Sequence, residues 1–160
     1  MGNYKNLEID FVHRTLNLIT QYENVLHKYE YKEQYNYTLL INCLLGLVVL
    51  PKEKSLTYLP ADLLDDKILK DMGLVYSIIN PQFNTLRKLI IELRHSVSHF
   101  NIKVISDLDD EFAIDQIVFE IDHEKSKILV ANFRANELLP FIRYYASWLL
   151  ANIEKYKKEK

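Results

Sequence analysis

The sequence predicts a mainly α-helical fold, a bundle of about four to five helices with a small β-hairpin inserted before the last helix. Three observations carry this expectation. Gly (3) and Pro (4) are scarce among the 160 residues, whereas an all-β domain of this size needs many turn residues. Apolar residues recur at helical spacing over long stretches. Strand-like alternation is confined to residues 115–121 and the segment after them. The length favours one domain over 1–160, large enough to bury a core without staples.

Taken in order, residues 4–30 read as one long helix, with Phe11, Val12, Leu16, Ile19, Val25 and Leu26 near one face. A second helix is expected over 33–49. From Leu39 to Leu50 it is apolar nearly all round, the pattern of a central core helix, and Pro51 ends it. Residues 51–60 read as a loop and 61–71 as a short helix. Asn80-Pro81 is a start signal, an N-cap residue followed by Pro at the first helical position. The helix it opens, over 81–100, carries Phe83, Leu86, Ile90, Leu93, Val97 and Phe100 at steps of 3, 4, 3, 4 and 3, a sustained apolar seam. The acidic run Asp107 to Glu111 reads as a solvated loop. Ile117, Phe119 and Ile121 then alternate with Gln116, Val118, Glu120 and Asp122. His123 to Ser126 is the turn, and Lys127 to Phe133 the partner strand. The last helix, over 135–158, presents Leu138, Phe141, Ile142, Tyr145, Trp148, Leu149 and Ile153.

Charge and composition exclude several classes. Net charge is −2 and the pI about 6.2, so this is no basic nucleic-acid module. Contact with RNA has to come from a local patch, or from a site that reads single phosphates. Cys43 is alone, lies in an apolar run and reads as a buried thiol. The apolar run Leu39–Leu50 is too short to span a bilayer. With no signal peptide recognised at the start, the expectation is a cytoplasmic protein without a membrane segment.

On a helical wheel of residues 81–100, the seam occupies one side. Lys88, Glu92, His95 and His99 fall together on the other. His95 and His99 are i,i+4 neighbours, Glu92 precedes His95 by one turn, and Arg94 lies to the flank. Such a group suits RNA cleavage by transesterification. Histidine titrates near neutrality and can take or give the protons of the 2′- and 5′-oxygens. A guanidinium fork matches the charge of a phosphorane-like transition state. No metal is needed on this route, and a zinc site would require a third or fourth ligand that no other spacing supplies. No cofactor is expected. The plain alternative is a solvated polar helix face.

Arg94-His95-Ser96-Val97-Ser98-His99 resembles the signature of the HEPN superfamily: Arg, a polar residue, a short gap, then His, late in a long helix. The order of elements around it is also similar. The resemblance implies a mostly helical protein that forms a homodimer, with two motif copies facing each other. It implies a metal-independent endoribonuclease of toxin–antitoxin, antiviral-defence or CRISPR-linked systems. Arg94 would then stabilise phosphate charge. His99 would serve as general acid or base, and His95 would orient the site or share the proton transfer. The wheel, and not the resemblance, adds Glu92 as a support for His95 and Lys88 as a weak RNA contact. Implied partners are an RNA substrate, a second copy across the motif-helix face, and an antitoxin or nucleotidyltransferase. Two readings compete with the nuclease: a non-catalytic HEPN-like module binding RNA, a nucleotide or a protein, and a helical interaction protein in which Arg94 and His99 are structural. His13-Arg14 could border the site, while the 11 Tyr are read mainly as packing residues.

Overall fold

A computed structural model describes residues 4–50, 56, 59–106, 113–124 and 126–158. These form five α-helices and four strands: α1 (Leu7–Leu26), α2 (Asn36–Val49), α3 (Asp66–Asp71), β1 (Ile78–Ile79), α4 (Leu86–Ser98), β2 (Ile102–Ser106), β3 (Ile114–His123), β4 (Ser126–Arg134) and α5 (Leu138–Lys158). The expected acidic loop at Asp107–Glu111 and most of the expected loop over 51–60 lie outside the described residues.

The sheet is the main correction to the expected fold. In place of a small hairpin, four antiparallel strands stand in the order β1-β4-β3-β2. β2 follows the motif helix directly and pairs Ile102 with Phe119 and Val104 with Ile117. β1 is only two residues long and joins Ile78 and Ile79 to Asn132 and Ala131 of β4. Neither strand shows in a periodicity reading, because one is a short edge strand and the other is too short to alternate.

The helices largely follow their patterns. α2 packs against α1, α4 and α5, and buries Leu40, Cys43, Leu44, Leu47 and Val48. Burial raises the Cys43 thiol above its ordinary pKa. α4 lies between α2 and the sheet, contacting β3 and β4 through a side that buries Leu86, Leu89, Ile90 and Leu93. Phe119, Phe133, Phe141 and Tyr145 form an aromatic file from the sheet into α5, with successive ring centroids 5.8, 4.9 and 6.3 Å apart.

Both ends of the motif helix depart from expectation. Asn80 does cap, but it caps a short 3₁₀ turn at Pro81–Phe83 by accepting from Gln82 N. The α-helix starts five residues later, where the Thr85 hydroxyl accepts from Lys88 N at 3.2 Å. At the other end the helix stops at Ser98, and Phe100, the expected last step of the seam, is 88% exposed.

Glu137 locks α5 to the sheet edge. Its carboxylate accepts from the backbone N–H groups of Val75, Tyr76 and Ser77 and from the Ser77 hydroxyl at 2.7–3.2 Å. Ser77 in turn accepts from Arg134 N of β4 at 2.9 Å. Burial raises the pKa of this carboxyl, the Ser77 hydroxyl and the three backbone donors lower it, and the net shift is down from 4.5. A depressed folded-state pKa stabilises the fold above the unfolded value, and that contribution disappears as pH falls through the folded value. Glu137→Ala is therefore expected to cost about 2–4 kcal/mol at neutral pH in urea unfolding. Glu137→Gln should flatten the loss of stability below about pH 4.5 relative to the parent protein.

Candidate active site

The apolar side of α4 fixes which residues face outward. Arg87, Ile91, Arg94 and Ser98 step by four, three and four residues and so share one stripe, with His95 beside it. These five line an open cleft of about 620 Å³, together with Val97, Val49 at the end of α2 and Leu56. Arg94 is half-buried, and its charge reaches Tyr145 in the core behind it. Burial pushes the Tyr145 phenol upward and the Arg94 charge acts in the opposite sense. The Tyr145 hydroxyl lies 3.5 Å from the Leu47 carbonyl of α2. Arg87, which also lines the cleft, donates from its guanidinium to the Leu59 carbonyl at 2.9 Å.

The expected grouping divides into two. His95 Nδ1 lies 3.1 Å from a Glu92 carboxylate oxygen, an i,i+3 pair with His95 mostly exposed and Glu92 mostly covered. In the tautomer that donates from Nδ1, Nε2 keeps its lone pair and can take a proton. Arg94 and His95 share the cleft, and Glu92 supports His95 from one turn earlier. His99 stands one turn further on, exposed, and is not among the described residues that line the cleft. Lys88 is exposed near the start of the helix and does not line the cleft either. His13 is exposed on α1, and the Arg14 guanidinium lies 4.2 Å from the Tyr4 ring centroid. Among the described residues, no three His, Cys, Asp or Glu side chains gather as metal ligands.

His99 is held by the way α4 ends. It is the C-cap residue, and its N–H donates to the His95 carbonyl at 3.1 Å. Phe100 follows in the left-handed region at φ 56, with its N–H on the Val97 carbonyl at 3.1 Å. The Asn101 N–H then donates to the Ser96 carbonyl at 2.8 Å. This pair of bonds is a Schellman motif, in which the left-handed position is usually Gly. α3 ends the same way with Gly73 at φ 78, its N–H on Lys70 and that of Leu74 on Leu69. At Gly73 a Cβ would stand 2.5 Å from Pro140 Cβ, so no other residue fits there. Phe at the equivalent place on α4 carries a backbone penalty of about 1 kcal/mol.

Asn101 supplies what holds this end closed. Its carbonyl accepts from the buried Ser96 hydroxyl at 2.8 Å and from Glu120 N of β3 at 3.0 Å. Its side chain donates to Asp122 at 2.9 Å and accepts from the Lys127 ammonium. Ser98, on the cleft side, donates to the Arg94 and His95 carbonyls at 3.0 Å each.

Sequence reasoning missed Arg87, Ser96 and Asn101. The i,i+7 spacing of Arg87 from Arg94 was a usable signal, since it places both on one helix face. The partners of Ser96 and Asn101 lie beyond the helix on strands that periodicity does not reveal.

The motif helix carries the residues on which the HEPN resemblance rests. A family model described as HEPN pEK499 p136 matches residues 1–156, and the chain belongs to that HEPN family. The comparisons with curated proteins and with solved structures gave no match.

Removing the Asn101 side chain should leave its partners unsatisfied at a part-buried site. Asn101→Ala is expected to destabilise the protein by about 1–3 kcal/mol in urea unfolding, and Ser98→Ala by less than about 0.5 kcal/mol.

Proposed function

We propose that the chain is a metal-independent endoribonuclease of HEPN type, acting as one domain and as a homodimer through the motif-helix face. The observation that carries this reading is the placement of Arg94 and His95 in one cleft, with His99 exposed at the locked end of the same helix. Two such helices facing across a twofold axis bring His99 of one copy to the Arg94–His95 cleft of the other. His95, oriented by Glu92, takes the proton of the 2′-hydroxyl. The freed oxygen attacks the adjacent phosphorus, and Arg94 holds the charge that develops on the phosphorane oxygens. The 5′-oxygen leaves with a proton from His99. The products are a 2′,3′-cyclic phosphate and a 5′-hydroxyl.

The biological setting that fits is a defence or toxin–antitoxin system in the cytoplasm, with an antitoxin or nucleotidyltransferase as cognate partner. None of the described helices is long and apolar enough to cross a membrane. One observation favours a second reading, a nucleotide- or RNA-binding module without cleavage. Within one copy the cleft combines apolar walls from Val49, Ile91 and Val97 with two guanidiniums, as a nucleotide site does, and His99 does not line it.

Incubation of the pure protein with mixed RNA in EDTA tests the proposal. The expected result is cleavage to cyclic-phosphate ends, reduced by about 10²–10⁴-fold in Arg94→Ala and in His99→Ala. Glu92→Gln should give a smaller loss, because it acts through His95. RNA that is bound and stays intact supports the second reading, and RNA neither bound nor cut removes the nuclease and the RNA-binding form of the second reading.

A further inference from the structure

Phe100 is the most exposed of the large hydrophobic side chains described, at 88%, and it directly follows His99. Its backbone occupies the left-handed region at φ 56. Neither property helps folding. The ring leaves its apolar surface in water, and the backbone adopts a conformation that Gly or Asn takes more readily. The same motif at the end of α3 uses Gly73. The ring is also not adrift on a loose loop. Hydrogen bonds from Phe100 N to Val97 and from Asn101 N to Ser96 close the turn on both sides of it, and Asn101 is tied to β3 and β4. An aromatic side chain is thus held outward by a rigid turn, next to the histidine assigned to proton transfer.

We propose that Phe100 is a stacking platform for an unpaired base of the RNA strand, one that flanks the scissile phosphate. This rests on the nuclease reading above and adds a binding element to it. In-line attack requires the 2′-oxygen, phosphorus and 5′-oxygen to align, and that geometry is reached when neighbouring bases are unstacked from each other. A ring beside His99 gives one of those bases a replacement surface. Stacking on an aromatic face does not read base identity, so the platform selects single-stranded RNA without selecting a sequence. Direct contact with bases also suits a chain with net charge −2, which carries no bulk positive charge for tracking the phosphate backbone.

The test uses the full chain and a short single-stranded 2′-O-methyl RNA carrying one 2-aminopurine. This probe lacks the attacking hydroxyl, so binding is read apart from cleavage. Wild-type protein should bind it and change the 2-aminopurine fluorescence. Phe100→Gly should weaken binding by about ten-fold, and Phe100→Tyr should keep it within about two-fold. Phe100→Gly should also melt about 2–5 °C higher than wild type, so that weaker binding is not a folding defect. Equal binding by wild type and Phe100→Gly, with weaker binding by Arg94→Ala, would overturn the platform and leave the RNA reading standing. A wild-type protein that binds no probe and cuts no RNA would overturn the RNA reading, and the platform with it. If light scattering shows that Phe100→Gly turns a dimer into a monomer, the ring belongs to an interface between copies and the platform is wrong.

Discussion

The position of the site depends on Asn101. This residue lies just past the motif helix and ties its last turn to two strands, through Ser96 on one side and through Glu120, Asp122 and Lys127 on the other. Both its backbone groups and both ends of its amide are bonded. A helix terminus normally frays and leaves its last carbonyls to water. Here the Schellman bonds close the last turn of α4, and the sheet holds the residue that follows. His99 and Phe100 lie between these two fixed points. The sheet therefore helps to fix the candidate site, because it supplies the anchor for the end of the helix that carries the motif.

Much of α4 was legible in the sequence, because its apolar steps are regular and the core obeys them. Leu86, Ile90 and Leu93 are buried, as a seam requires. The pattern misled at both ends for local reasons. Asn80-Pro81 does start a helical turn, but of 3₁₀ type, and Thr85 then caps the helix proper. Phe100 continues the apolar spacing in sequence while the chain turns left-handed, so its ring points away from the core. Spacing arguments assume that the helix continues, and here it does not. The extent of the sheet was not legible. β1 has two residues, and β2 is an edge strand with Val104 and Ile105 both exposed, so neither alternates cleanly between core and solvent. Their pairing is non-local, and Glu137, which locks the β1 side, has partners about sixty residues upstream.

The candidate residues lie differently in the structure from the way the wheel arranges them. The wheel places Glu92, His95 and His99 on one side with Arg94 at the flank. In the structure the cleft belongs to the Arg94 side, and Arg87 shares it. Glu92 and His95 do pair. Arg94 and His95 line the cleft while His99 does not, and under the proposed function this separation gives the dimer its chemical role: each copy would hold the phosphate-binding and proton-accepting groups and would offer a proton donor to the other. The HEPN family assignment fits this arrangement, since the motif helix carries both halves.

The most direct test of that shared site is to mix Arg94→Ala and His99→Ala proteins, each inactive alone, under conditions where subunits exchange. If each site takes Arg94 from one copy and His99 from the other, a mixed dimer has one intact site and one doubly defective site. An equal mixture should then recover about a quarter of wild-type cleavage, since about half the dimers are mixed and each has one of two sites. No recovery, with exchange verified, would contradict the account and place both groups' roles within a single copy.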